Sequence, residues 1–276
     1  MQGQWFPGNM ARATAQLEQD LKIVDLVVEL LDARIPFSSS NPVLSRLIGT
    51  NSHLILLHKA DRAEKPVTDR WLSYYKSIEK MAMAFSIHDK SSLARLQGYL
   101  KQQGDTMQPK RLKRPLRLMV IGIPNVGKST LINYFVRKAA TRTGNQPGIT
   151  RGRQWIRIMN GIELLDTPGV LWPKIDEETI FPLAAVGAIP LSKIETYDLA
   201  TWLLEQYRER NKLKLLMDRY PDLDVSDTAA MLRHMGAMYG CLKAEGRVDY
   251  DRVAALLLKD FQGGSLGRLT LEEPNS

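Results

Sequence analysis

The sequence predicts an α/β fold, with a mostly parallel sheet covered by helices on both faces, followed from about residue 190 by an all-helical region. Three observations carry this expectation. Short runs rich in Val, Ile and Leu alternate with segments of helical spacing. Several of those runs stop abruptly at polar residues, as strands do at the edge of a parallel sheet where ligands bind. After Ser192 the helical pattern continues without strands between its segments.

A helix-like segment from about Met10 to Leu21 comes first, and the apolar run Ile23 to Leu31 reads as a buried strand ending in Asp32-Ala33-Arg34. A second run, Leu54 to Leu57, ends at His58-Lys59-Ala60-Asp61, and a third, Met81 to Phe85, ends at Ser86-Ile87. Pro42 to Ile48 and Thr68 to Glu79 have helical spacing between them. The basic linker Lys110 to Arg114 leads to a fourth strand, Leu116 to Ile121, and a helix is expected from Lys128 to about Arg137. Gln154 to Met159 and Ile162 to Leu165 read as a hairpin, because Asn160-Gly161 between them is a strong tight-turn signal. Ser192 and Glu195, at capping-box spacing, open the helical region. Its segments are roughly Ile194 to Met217, Thr228 to Gly240 and Asp249 to Phe261. These readings divide the chain into domains at 1–189 and 190–276.

With 276 residues, 44% of them hydrophobic, the chain can bury a substantial core. The single cysteine, Cys241, excludes an intrachain disulfide, and the scattered histidines do not form a zinc cluster with it. No secretory leader precedes Trp5 and no apolar run reaches membrane-spanning length, so a cytoplasmic protein without a membrane partner is expected. The net charge of +8 favours polyanionic partners. It is unevenly placed: residues 1–189 carry 26 Lys/Arg against 16 Asp/Glu, and residues 190–276 carry 12 against 14. Between Asp105 and Glu163 stand twelve basic residues and no acidic one, a stretch that either draws phosphates or forms a solvated basic face.

Gly122-Ile123-Pro124-Asn125-Val126-Gly127-Lys128-Ser129 matches G-x-x-x-x-G-K-[ST], the loop whose backbone amides surround nucleotide phosphates. Its expected position, between a strand and a helix, is the context that such a loop requires. Asn125, Val126, Gly127 and Thr130 are candidate nucleotide contacts, Lys128 neutralises the β and γ oxygens, and the Ser129 hydroxyl is a magnesium ligand. Asp166-Thr167-Pro168-Gly169 follows a strand where such a site needs a carboxylate near magnesium and an amide near the γ-phosphate, although this tetrapeptide is also an ordinary turn. Thr150, with Thr143 as a rival, is the candidate second hydroxyl on magnesium. His58-Lys59-Ala60-Asp61 is one letter from the Asn-Lys-x-Asp element that reads guanine. One carboxylate, Asp61, can accept both the ring N1 proton and the exocyclic amine, a donor pair that adenine lacks. The stem of Lys59 would lie along the base, and the amides of Ser86-Ile87 would border its O6.

These motifs, with Trp5-Phe6-Pro7-Gly8, Pro147-Gly148-Ile149-Thr150, Asp166 to Pro173, Gly240-Cys241-Leu242 and Leu266 to Leu271, resemble the circularly permuted ribosome-biogenesis GTPases of the YlqF/RbgA family over nearly the whole chain. The resemblance implies a P-loop GTPase domain in which the base-reading motif precedes the phosphate loop. It implies GTP and GDP as ligands with Mg2+, and hydrolysis of GTP to GDP and phosphate stimulated by the ribosomal particle. The implied partners are the large ribosomal subunit precursor, late in its assembly, and rRNA, with the helical tail contributing to docking; no DNA partner is expected. Asn125 matches the asparagine that in potassium-activated relatives helps bind a monovalent cation, so potassium is a candidate ligand, against local backbone bonding of the same side chain.

Two positions depart from the pattern. The family carries histidine, proposed to position the attacking water, where this chain has Asn9, and Val170 follows Asp-Thr-Pro-Gly. An amide can orient water but cannot act as a base. Asn9 also precedes a helix-like segment, where Asn is a favoured N-cap. His58 stands where asparagine ties the base site to the phosphate loop, and an imidazole lacks the paired donor and acceptor of an amide, so weaker nucleotide binding is expected. These departures keep open a second reading, a nucleotide-dependent rRNA-binding assembly factor with negligible intrinsic hydrolysis. A P-loop ATPase or small-molecule kinase is a third.

Overall fold

Six strands form one sheet in the order β3-β2-β1-β4-β6-β5, in a computed structural model that describes residues 15–42, 47–49, 51–107, 114–143, 155–165 and 175–274. The strands are β1 (Leu26–Asp32), β2 (Ser52–His58), β3 (Met81–Phe85), β4 (Leu116–Gly122), β5 (Trp155–Met159) and β6 (Ile162–Leu165). All neighbours are parallel except β5 and β6. Every residue of β1 is buried, because a central parallel strand is covered on both faces. Leu26, Val28 and Leu30 point to one face of the sheet, and Val27 and Leu31 to the other. Full burial of each such side chain contributes about 1.5–3 kcal/mol.

Residues 15–21 (α1) and α3 (Lys65–Ser77) cover one face, α1 through Leu17 and Leu21 and α3 through Val67, Trp71 and Tyr75. On the other face lie α4 (Lys90–Met107), through Leu93, Leu96 and Leu100, and α5 (Lys128–Thr143), through Leu131, Ile132 and Phe135. The four-residue helix α2 (Pro36–Ser39) follows β1. Beyond the sheet come α6 (Glu177–Ala185), α7 (Thr196–Glu209), α8 (Leu213–Arg219), α9 (Thr228–Met238) and α10 (Tyr250–Gly263). Their apolar faces join the core of the α4 and α5 side in one continuous cluster that includes Leu183, Leu203, Met231 and Leu258.

Several boundaries differ from the sequence expectation for identifiable reasons. The long helix expected over Ile194 to Met217 is two helices, because Asn211 takes a left-handed conformation (φ 56°) that ends the first, as Asn tolerates. Ser192 does not cap it: residues 191–193 form a 3-10 turn, and Glu195 occupies the cap position without a side-chain bond. Asp227 and Asp249 do cap α9 and α10, accepting from the amides of Ala230 and Arg252. The hairpin is present, but Gly161 (φ 73°) rather than Asn160 has the positive φ, and the pairing slips between Arg157 and Met159. Helices α4 and α6 were not anticipated, since polar residues dilute the periodicity of the first and Pro182 interrupts the second.

The carboxyl-terminal residues return to the front of the sheet. Leu269 N–H donates to the Arg62 carbonyl at 3.2 Å and Leu271 N–H to that of Arg34 at 2.8 Å. Glu272 accepts from the Phe37 amide at 2.7 Å, and burial pushes its carboxyl pKa upward. Trp71 Nε1 donates to the Glu272 carbonyl at 3.1 Å.

Candidate functional site

Strand β4 delivers the chain into the glycine loop at the centre of the sheet. A Cβ on Gly122 would lie 2.5 Å from the Leu30 carbonyl oxygen, so only glycine lets β4 pass β1 here. The loop turns at Asn125 (φ 57°) and Gly127 (φ 110°), and α5 begins at Lys128, so its unpaired first-turn amides face the loop's cavity. Lys128 is buried and its ammonium folds back, donating to the carbonyls of Gly122 at 2.9 Å and Ile123 at 2.7 Å. Burial alone pulls its pKa down to about 8. Ser129 and Thr130, the next two residues of the helix, are exposed.

The motif His58 to Asp61, expected from the sequence to read the base, follows the adjacent but one strand, β2, and locks onto this loop. His58 Nδ1 lies 2.5 Å from the Val126 carbonyl oxygen, its ring 5.4 Å from that of Phe85. Burial lowers the pKa of His58, so the neutral ring donates through Nδ1. The imidazole thus makes one of the bonds expected of asparagine. It also occupies the space beside Gly127: a Cβ there would collide with His58 Cε1 and come within 2.7 Å of Nδ1. Lys59, in a left-handed conformation (φ 60°), reaches Asp32 Oδ2 at 2.9 Å and the Asn125 carbonyl at 3.0 Å.

Asp32 anchors this arrangement from the end of β1. It is fully buried, which opposes ionisation, yet the Arg34 guanidinium and the Lys59 ammonium outweigh burial and hold its carboxyl far below the usual carboxylate range. Arg34, itself 1% exposed, grips both carboxylate oxygens, Nη2 at 2.8 Å and Nε at 2.9 Å, a bidentate geometry. Burial pulls the Lys59 pKa below its ordinary value, with Asp32 opposing.

Asp61 ends up beside this lock, its carboxylate exposed, with Arg62 Nε at 3.9 Å. Lys59, Asp61, Ile87, Gly127 and Thr130 share a cavity of about 300 Å³. The Ser86 amide is already engaged, donating to Ser92 Oγ at 3.2 Å, and His88 N–H donates to Ser86 Oγ at 3.2 Å. Ile87 is therefore the residue of that pair whose amide makes no hydrogen bond among the described residues. A larger cavity, about 760 Å³, lies between α3 and α4 against the edge strand β3, and no residue of the glycine loop lines it.

Asn9, Thr150, Asp166 and Gly169 lie outside the described residues, as does Val170; of the expected magnesium ligands Ser129 alone is described. Part of the basic stretch is engaged by contacts within the protein. Arg114 pairs with Asp25 at 2.6 Å, Arg117 lies over the Trp155 ring at 4.8 Å, and Lys138 donates to Gln97 at 2.7 Å. Arg157 on β5 is exposed.

Four contributors escape sequence reasoning. Asp32 and Arg34 were noted only as a strand end, although an acid and a base two residues apart at the edge of an apolar run are a readable sign of a buried pair. Gly187 accepts from Asn125 Nδ2 at 2.6 Å, and Gln262 at the end of α10 lines the same cavity as Asp61. Neither carries a sequence signal: Gly187 belongs to no motif of the expected domain 1–189, and Gln262 comes from residues 190–276, expected to be a separate helical domain.

Residues 117–232 match the family model described as 50S ribosome-binding GTPase. Among curated proteins, the chain is 39% identical to ribosome biogenesis GTPase A of Priestia megaterium, covering 99% of this chain and 97% of that protein. It is 30% identical to the protein of the same name from Thermotoga maritima, covering 98% and 94%. Among solved structures, GNP-bound YlqF from T. maritima superposes with a TM-score of 0.68 at 26% identity, covering 96% of this chain and 99% of that one.

Proposed function

The chain belongs to the ribosome biogenesis GTPase A family, and from that premise we infer that it binds GTP and hydrolyses it to GDP and phosphate in the assembly of the large ribosomal subunit. The observation that carries this reading is the lock between motifs 66 to 68 residues apart in sequence. Lys59 Nζ bonds the Asn125 carbonyl and His58 bonds that of Val126, which holds the Asp61 carboxylate and the glycine loop at two ends of one cavity.

In this reading Asp61 selects guanine by accepting from its N1 and exocyclic amine, and the stem of Lys59 supports the ring. The Ile87 amide, with Ser86 behind it, borders O6. Amides of Gly127 to Thr130 surround the α- and β-phosphates. Lys128 leaves the carbonyls of Gly122 and Ile123 for the β and γ oxygens, so the triphosphate replaces a neutral partner set with a charged one. Ser129, with Thr150 and Asp166, would hold magnesium, which would neutralise phosphate charge. By the family resemblance, Gly169 would offer its amide to the γ-phosphate and Asn9 would orient the attacking water. Asn125, whose Nδ2 is taken by Gly187, keeps Oδ1 as the candidate potassium ligand.

The partner is the precursor of the large subunit, reached in the cytoplasm through rRNA contacts to the exposed part of the basic stretch and to residues 190–276 as a helical docking domain. The GTP-bound form binds the particle and hydrolysis releases it. Single-turnover hydrolysis with and without purified large subunits tests the reading. Stimulation of several orders of magnitude is expected, and an unchanged rate would leave only the nucleotide-dependent binding factor.

A further inference from the structure

Resting on the guanine-nucleotide reading above, we propose that Gln262, at the end of the carboxyl-terminal helix α10, is a nucleotide-positioning residue that hydrogen-bonds the ribose of the bound nucleotide.

The placement of Gln262 is built from both sides of the cavity. Its carbonyl accepts from Arg62 Nη1, next in sequence to Asp61, and the preceding carbonyl, of Phe261, accepts from Arg34 Nη1 at 2.9 Å. The Arg34 guanidinium also lies 4.9 Å from the Phe261 ring. Two arginines flanking the base-reading elements therefore grip the end of α10 by its last carbonyls, of which that of Phe261 also accepts from the Gly264 N–H at 3.1 Å. On the other side, the Gln262 carboxamide lies flat on Gly187: a Cβ added there would sit 3.3 Å from Cδ and Nε2 and 3.4 Å from Oε1. Gly187 (φ 81°) is in turn bonded to Asn125 on the rim of the phosphate loop.

The carboxamide is thus held between the residue that reads the base and the loop that cradles the phosphates, and it lines the cavity that both share. The part of a nucleotide between its base and its phosphates is the sugar. Gln262 is half-buried, and its carboxamide makes no hydrogen bond among the described residues. A carboxamide offers one acceptor and two donor hydrogens, which suits a pair of hydroxyls that each donate and accept. In the guanine-nucleotide reading the base donors are matched by Asp61, and the phosphates by the loop amides and Lys128.

The experiment titrates the full-length protein with GDP, 2′-deoxy-GDP and 2′,3′-dideoxy-GDP, comparing wild type with Gln262→Ala and Gly187→Ala, the latter displacing the carboxamide by its Cβ. Wild type should prefer GDP over the dideoxy analogue, and Gln262→Ala should lose about 3- to 10-fold in GDP affinity while binding the dideoxy analogue as wild type does. Gly187→Ala should shrink the same preference. Equal losses for all three nucleotides, or no loss for any, would overturn the proposal while leaving guanine binding intact. If wild type bound no guanine nucleotide, the underlying reading would fail first, and Asp61→Asn with xanthine nucleotides separates the two failures.

Discussion

Placing an alanine at Gly127 tests the lock between the two motifs directly. A Cβ there would overlap His58 Cε1 and approach Nδ1 to 2.7 Å, and the residue's φ of 110° is one that L side chains rarely adopt. The backbone part costs about 1–3 kcal/mol, and the overlap with a well-packed ring costs about 1–3 kcal/mol more. His58→Ala alone loses the bond to Val126 and the contact with Phe85, about 1–3 kcal/mol together. In the double variant the overlap vanishes but the backbone cost remains. The two changes should therefore be non-additive, the pair being about 1–3 kcal/mol less destabilising than the sum. Urea unfolding of the four proteins measures this cycle. Additivity within about 0.5 kcal/mol would refute the packing of His58 against the phosphate loop, and with it the account of how Asp61 is held.

Lys59→Met removes the bridge between Asp32 and the Asn125 carbonyl; Asp32 keeps Arg34, so the expected loss of stability is about 2–4 kcal/mol, with weakened GDP binding, both read by unfolding with and without GDP. Asp61→Asn should lose guanine selectivity and gain xanthine nucleotide, and competition binding that showed unchanged guanine preference would remove the base assignment. For Lys128, a pKa near 8 in the free protein that rises beside phosphate means that binding takes up a proton. Affinity is then full below that value and lost as pH rises through it, by about fourfold between pH 6.5 and 8.5, whereas a flat profile would contradict the buried ammonium. Glu272→Ala strips the acceptor from the Phe37 and Ser38 amides and should lower stability by about 1–3 kcal/mol, seen as a lower unfolding midpoint at unchanged slope.

The legible part of the site was local. Gly122 to Ser129 announces itself because a phosphate cradle needs glycine at closely spaced positions and a lysine in the next turn. Lys59 and Asp61 are recognisable because guanine selection needs one carboxylate at a strand end. What stayed hidden depends on neighbours. His58 could be read only as a defective asparagine until its ring was placed against Val126 and Gly127. Ser86 and Ile87 were indistinguishable until Ser92 was found to occupy one amide. Ser192 satisfied the spacing of a capping box, but local spacing does not decide where a helix starts when burial of Leu199, Leu203 and Tyr207 sets its register.

From residues alone followed the alternating strands and helices, the phosphate-loop motif, the acid proposed to read the base, and the order of the two motifs along the chain, because each motif is written in a pattern spanning fewer than about ten residues. Only the tertiary structure decided that Asp32 and Arg34 form the buried anchor behind Lys59, that Lys128 rests on its own loop's carbonyls, and that Gly187 and Gln262 wall the cavity. Those contacts join positions up to 227 residues apart. The free energy that fixes them comes from burying charge against its partner and closing one core over the sheet, properties of the assembled chain rather than of any segment.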